Sequence, residues 1–449
     1  MQKTLKSHGT WIGKWTFVLA ATGSAVGLGN IWGFPYKAGT EGGAAFVLIY
    51  LLCIVAIGVP IMISEILIGR RSGNSPINAM KKSAIDSGAS SLWQAVGWTG
   101  IIAGVLILSF YSVIAGICLN YIFISASPNE LLTSSEQFGQ VIASPSNLLI
   151  WHTVFMFLTF VIVSAGVEDG IGRMVKILMP MLGFILIFMV LYGMINGAFM
   201  KALSFLFAPD FSSIGTDTFL SAMGQAFFSM SLGMGSIMAY GAYMPKDQEI
   251  VSTSFSVGSL DTLVAILAGL AIFPIIFAFN LEPGAGPGLV FVSLLSAFNQ
   301  MEFGQLIGPI FFILLSIAAL SSSISILEPG VAYLAEEGFL SRKKSAIVIS
   351  ILCWLIGIGT ATGFNIFSVV DESGESINPF LNMMELISVQ ILQPFGGMMI
   401  AIFIGWFMNE SLIKNEIDQM NPFLYKIWRF FIRFVAPLSV ASVFISQLI

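Results

Sequence analysis

The chain has 449 residues, of which 56% are apolar and 10% charged, with a formal charge of −5. A soluble domain carries about 25% charged residues, so this composition excludes a set of two or three water-soluble domains and gives no footing for a nucleic-acid partner. The apolar residues run in blocks, many longer than the ~20 needed to cross a bilayer as helix. Backbone groups in hydrocarbon must bond within their own segment, and the ten-residue alternation of an outer-membrane barrel is absent. The expected fold class is therefore an all-α polytopic membrane protein, one domain over 1–449. Cys53, Cys118 and Cys353 sit in apolar runs as small core residues, with no disulfide or zinc spacing. With only His8 and His152, no histidine metal site is expected.

Eleven spans are expected, at 15–37, 44–69, 93–124, 150–167, 171–197, 217–243, 253–280, 308–335, 345–362, 379–407 and 428–447. Breaker-rich connections such as Arg71-Ser-Gly-Asn-Ser-Pro76 and Glu282-Pro-Gly-Ala-Gly-Pro287 separate them. The first follows Lys3, Lys6 and Lys14 as a signal peptide would, but it is long and lacks a small-x-small cleavage site, so it is expected to be retained. With the amino terminus inside, all of the 19 basic residues except Lys37 and Lys201 fall on the cytoplasmic side, as the positive-inside rule demands. The odd count puts the carboxyl terminus outside. The sole Asn-x-Ser/Thr match, Asn409-Glu-Ser411, is then cytoplasmic. Short termini and a short second outer loop point to a bacterial inner membrane.

Span one reads Gly23-Ser-Ala-Val-Gly-Leu-Gly-Asn30, then Ile-Trp-Gly-Phe-Pro35. Each glycine costs a helix about 1 kcal/mol and a proline about 3, so a break is expected there. Span six repeats the device in Ser229-Met-Ser231-Leu-Gly233-Met-Gly235-Ser236. Ala25–Asn30 matches Ser231–Ser236 around a central Gly-x-Gly. The two open consecutive sets of five spans (15–197 and 217–407), and because five is odd the second set is inverted. Interrupted segments at corresponding positions of inverted halves point to a transporter binding site. Unwinding frees carbonyls for a cation, and half-helix amino ends offer N–H groups to a carboxylate. Close packing through Gly23 and Gly27 is the alternative, though it explains neither Asn30 nor the repetition. A nucleotide loop is disfavoured, since Trp32 stands where a third glycine belongs and no strand precedes it.

Four acids lie inside apolar spans: Glu65, Asp261, Glu328 and Glu385. Each is costly there and so a functional candidate. Glu65 suits a buried acceptor tying broken helix ends together. Asp261 needs a cation or a proton, and sodium ligation competes with a structural hydrogen bond. Ser321-Ser322-Ser323 in span eight either bond back to their own helix or join freed carbonyls in an all-oxygen site for a hard cation.

From about Trp11 to the end of span ten, the chain resembles the neurotransmitter:sodium symporter family in its bacterial amino-acid branch. Ala21-Thr-Gly-Ser-Ala-Val-Gly-Leu-Gly-Asn-Ile-Trp32 and Gln225-Ala-Phe-Phe-Ser-Met-Ser-Leu-Gly-Met-Gly235 carry the resemblance, supported by Tyr243-Met-Pro-Lys-Asp-Gln248 and Leu320-Ser-Ser-Ser323. It implies the LeuT fold of five-plus-five inverted repeats and two co-transported Na⁺. One ion would take the Ala25 carbonyl, Asn30, Ser229, Asp261 and the substrate carboxylate. The second would take carbonyls of Gly23, Val26 and Ala318 with the Ser321 and Ser322 hydroxyls. Substrate is expected against Ser24, Ala25, Leu28, Gly29, Ser229 and Ser322, under a lid of Tyr111 and Phe228. Ile107, Ser231, Met234 and Ile326 would line an apolar side-chain pocket suited to a hydrophobic or aromatic amino acid. Gly170 and Pro180 resemble the span-five unwinding motif, and Trp11, Tyr243 and Glu336 the inner gate. The outer gate departs from the family: Gly33 stands where arginine is usual, and Glu385 where aspartate is, so either the gate closes differently or a cationic substrate or Lys37 supplies the charge. At the inner gate His8, or Lys6, stands for the usual arginine. Ala265 replaces the serine of chloride-dependent relatives, so chloride independence is expected.

The resemblance implies sodium-coupled import of a neutral amino acid by alternating access, with the lipid bilayer as surroundings and a monomeric or dimeric state. A proton- or exchange-driven carrier in which Asp261 or Glu328 titrates is the nearest rival, and a non-transporting sensor a third. No HExxH, GxSxG or histidine-rich site supports an enzyme.

Overall fold

The computed structural model describes residues 11, 13–129, 131–281, 288–370 and 376–446. Lys3, Lys6, His8, the 282–287 connection and residue 447 lie outside them. Helix dominates: the one sheet among the described residues is an antiparallel pair, β1 (Val369–Val370) and β2 (Ser376–Ile377). The chain opens with α1 (Lys14–Ala25) and α2 (Gly29–Thr40), apolar halves that meet at 53°. Next come α3 (Ala44–Ser72), α4 (Ser91–Ala126), α5 (Pro145–Ser164) and α6 (Val167–Asn196). A second break separates α7 (Thr216–Ser229) from α8 (Ser236–Ala242). The bundle is completed by α9 (Ile250–Ala278), α10 (Gly304–Glu336), α11 (Arg342–Gly363), α12 (Pro379–Phe407) and α13 (422–446).

Among the described residues, eight helices are singly long and apolar enough to cross a membrane, and nine with the α1–α2 pair counted as one. The other two expected spans are α7–α8, whose halves have 14 and 7 residues, and α13, built of three consecutive short segments. Span ten coincides with α12. The fourth begins earlier than expected, because Ser144 caps Asn147 N and Pro145 takes the first turn, where its missing N–H is no loss.

Burial sorts the helices. The apolar windows of α10 and α4 are 83% and 78% buried, and those of α5 and α6 only 39% and 33%. The first two are apolar all round and form the centre, while the latter show a broad face to lipid. At one end, Arg70 of α3 donates to Gln248 O and to Glu416 Oε2 at 2.9 Å. Arg342 of α11 reaches Val163 O at the end of α5 at this same end, which is called the basic end below.

Candidate functional site

Both helix breaks are enforced by local chemistry. An unbroken α1 would send the N–H groups of Gly27, Leu28 and Asn30 to the carbonyls of Gly23, Ser24 and Val26. Instead Gly27 N donates to Asn30 Oδ1 (3.1 Å), Leu28 N to the Tyr111 hydroxyl (3.3 Å) and Asn30 N to Gly27 O (3.2 Å). Three carbonyls are thereby released from the helix. Gly27 is required by space, since a Cβ there would run into Ser322 Oγ. In the second break, Ser231, Gly233 and Gly235 all have φ between 53° and 77°, a region that disfavours a side chain. A Cβ at Gly233 would also overlap Gln393 O. Glu65 Oε1 accepts Gly233 N at 2.7 Å, which is the helix-tying arrangement expected of it.

The released carbonyls face the serine cluster of α10. Ser322 Oγ lies 3.1 Å from Val26 O, 3.3 Å from Ser24 O and 3.5 Å from Gly23 O. Ser321 Oγ lies 3.0 Å from Ala318 O and 3.4 Å from Val26 O. A hydroxyl has one hydrogen, so these two serines can satisfy at most two of the surrounding carbonyls at once. The result is a buried surplus of oxygen lone pairs, a donor set that suits a hard monovalent cation. Met179 of α6 packs on Gly23 beside it, one residue before Pro180, which is inside α6. Gly170 lies in the wider first turn of α6, where a Cβ would overlap Ile162 O.

Of the set expected for the first ion, Asn30, Ser229 and Asp261 are brought together, with protein partners. Asp261 is fully buried on α9. Its Oδ1 accepts Asn30 Nδ2 at 2.7 Å, and its Oδ2 accepts Ser229 Oγ and the Tyr50 hydroxyl, each at 3.2 Å. The carboxylate is thus held by three protein donors, and Asn30 turns its oxygen to Gly27. Coordinating a cation here requires the Asn30 oxygen to turn inward. Tyr50 of α3 went unnoticed in the sequence, although a tyrosine in an apolar span needs a partner for its hydroxyl. Gln225, which donates to Gly29 O at 2.7 Å, was missed as well.

Between these clusters lies a small, nearly filled cavity lined by every expected substrate residue except Ser229, together with Gly27. Ser229 instead belongs to the Asp261 cluster. Tyr111 and the Phe228 ring close the cavity over Gly27 and Gly29. Ile107, Met234 and Ile326 form its apolar wall, and among the described residues the Ser24 hydroxyl has no hydrogen-bond partner.

At the basic end, Trp11 donates from Nε1 to Tyr240 O (3.0 Å) and from its backbone N to Tyr243 O (3.2 Å). The Tyr243 hydroxyl donates to Glu328 (2.7 Å), which also receives both η nitrogens of Arg342 (2.9 and 2.6 Å). Glu336 is apart from this network, accepting Ser75 N at 2.8 Å and the Asn74 amide. In the sequence, Arg342 is one of the basic residues that fall on the cytoplasmic side, with no further role marked. An acid within a span calls for such a partner, and Arg342 is the first basic residue after Glu328. At the other end, Gly33 lies against Gln225 and Glu385 is exposed. Lys37 Nζ donates to Ser221 O (3.4 Å) and feels the charges of Glu385 and Glu41. Among the described residues no ion pair within 4.0 Å joins Lys37 to Glu385.

Comparison with known proteins gives these clusters a context. The model of the sodium:neurotransmitter symporter family matches residues 8–135 and 130–449. An uncharacterized sodium-dependent transporter of Bacillus subtilis is 37% identical over 445 residues, 97% of each chain. Another from Haemophilus influenzae is 33% identical over 99% of each. The crystal structure of MhsT in complex with L-phenylalanine superposes with a TM-score of 0.88, at 42% identity, over 98% of this chain and 99% of that one.

Proposed function

The chain belongs to the sodium:neurotransmitter symporter family and is a sodium-dependent membrane transporter, and from that premise we propose that it imports a neutral hydrophobic or aromatic amino acid together with two Na⁺, without chloride. The observation that carries this reading is the surplus of oxygens among Gly23, Val26, Ala318, Ser321 and Ser322, set against a cavity with one apolar wall. In this reading one ion sits among those five. The other is held by the Ala25 carbonyl, Asn30, Ser229 and Asp261, and by the carboxylate of the substrate. The cargo is then bound only with its ion, which couples the two fluxes. The phenylalanine bound to MhsT supports the aromatic class, because Ile107, Met234 and Ile326 offer an apolar wall here. Asp261 supplies a fixed negative charge beside the first ion, and Ala265 adds no hydroxyl for chloride.

The proposed cycle is alternating access in a five-plus-five repeat, with the basic end cytoplasmic in a bacterial inner membrane. Trp11, Tyr243, Glu328 and Arg342 would close the inner side, and unwinding at Gly170 and Pro180 would open a path from the second ion. At a membrane potential of about 100 mV, two charges supply about 4.6 kcal/mol. A tenfold gradient adds about 1.4 kcal/mol per ion, which suffices for large accumulation of a neutral cargo. Uptake of single radiolabelled amino acids into proteoliposomes tests the reading. Accumulation of an aromatic or branched amino acid that requires Na⁺ and persists in gluconate is expected, whereas accumulation indifferent to Na⁺ overturns the ion sites.

A further inference from the structure

At the basic end, α12 finishes beside the start of α13, and three cations of α13 gather there: Lys426, Arg429 and Arg433. They are three and four residues apart, a spacing that keeps helical side chains on one side. Arg429 donates to Ile404 O and Arg433 Nε to Gly405 O (2.7 Å), the last carbonyls of α12. Each guanidinium has five N–H donors, and a carbonyl takes one. No carboxylate lies within 4.0 Å of any of the three cations among the described residues. The neighbouring Glu410 is occupied by Lys414 at 2.9 Å and by the Tyr425 hydroxyl. Arg429 and Arg433 also repel one another, and the charge of Glu410, which is shared with Lys414, offsets this only for Arg429.

The surroundings identify the anion. Arg433 lies over the Trp406 ring at 5.4 Å, and Trp406 donates back to Arg433 O at 3.3 Å. Trp406, Phe407, Phe430 and Phe434 are all between 42% and 56% exposed, an apolar surface that belongs in lipid. Tryptophan beside cations at a span end is the signature of the headgroup layer, where unpaired basic side chains meet phosphate. Topology alone needs the charges. It does not need them placed without carboxylates around an exposed aromatic patch. Arg429 is buried behind this face, whereas Lys426 is exposed and Arg433 half-buried. We propose that Lys426 and Arg433, backed by the charge of Arg429 and flanked by Trp406, form a docking site for the phosphate of an anionic phospholipid.

Full-length protein in detergent, titrated with phosphatidylglycerol, phosphatidylcholine or inorganic phosphate and read by native mass spectrometry, tests this. One phosphatidylglycerol is expected to be retained roughly tenfold better than phosphatidylcholine. The Lys426→Gln/Arg433→Gln variant is expected to lose that margin, and Arg433→Lys to keep it, which separates charge from folding. Arg433→Gln alone, expected to lose part of the margin, serves if the double variant fails to fold. Equal retention of the two lipids, or a margin that survives neutralisation, overturns the proposal. So does displacement of the lipid by equal inorganic phosphate, which would assign the face to the free ion. A dimer that carries neither lipid would assign it to a second copy and overturns it too.

Discussion

At the scale of single residues, the site is a contest over too few hydrogens. Ser322→Ala removes one of five oxygens around the proposed second ion. It should raise the half-saturating Na⁺ concentration for uptake roughly tenfold or more, since contacts to a charge are worth about 1.5–3 kcal/mol. A wild-type Na⁺ curve in that variant would move the ion elsewhere. Tyr50→Phe takes one donor from Asp261 and one neighbour from Ser229. A smaller rise, on the order of fivefold, is expected in the same assay. The serines and Asp261 were legible because polar atoms in apolar runs stand out. Tyr50 and Gln225 were not, because their contribution exists only once α2, α3 and α7 are packed together, and nothing local marks them.

At the scale of elements, the breaks and the closures can be separated. Gly233→Ala places a side chain where φ is +77° and Gln393 O already stands, so it should abolish substrate binding by scintillation proximity while the helical circular dichroism is kept. The Glu328–Arg342 pair predicts another pattern. Glu328→Gln leaves Arg342 uncompensated in a buried setting, a loss of about 3–5 kcal/mol when a buried pair is broken. Its melting temperature in detergent should fall further than that of Glu328→Gln combined with Arg342→Gln, and equal falls would deny the pairing. Both breaks were visible as glycine pairs in apolar sequence. The pair at the basic end was not, because fourteen residues and a turn separate Glu328 from Arg342, and only tertiary folding brings them together.

For the whole molecule, binding of ions to the folded state should appear as stability. A ligand at 100 times its dissociation constant adds about 2.7 kcal/mol by mass action. Na⁺ should therefore raise the melting temperature where K⁺ at equal ionic strength does not, and amino-acid cargo should add to the Na⁺ effect. A response shared by both cations would point to screening rather than sites. The helical membrane class followed from composition, since 10% charge cannot cover a soluble surface of this size. The span count is harder to read, because α7, α8 and α13 divide into pieces too short to register alone.

Three of the five oxygens around the proposed second ion, those of Gly23, Val26 and Ala318, belong to the main chain, and every amino acid carries the same carbonyl. Natural variation at Val26 and Ala318 should therefore track volume, hydrophobicity and helix geometry, and be silent about ion chemistry. Gly23 is restricted further by the Met179 sulfur, 3.0 Å from where its Cβ would be. An alanine scan would register Ser321 and Ser322 and pass over their partners, so probing the rest of the ion's surroundings calls for backbone ester substitution.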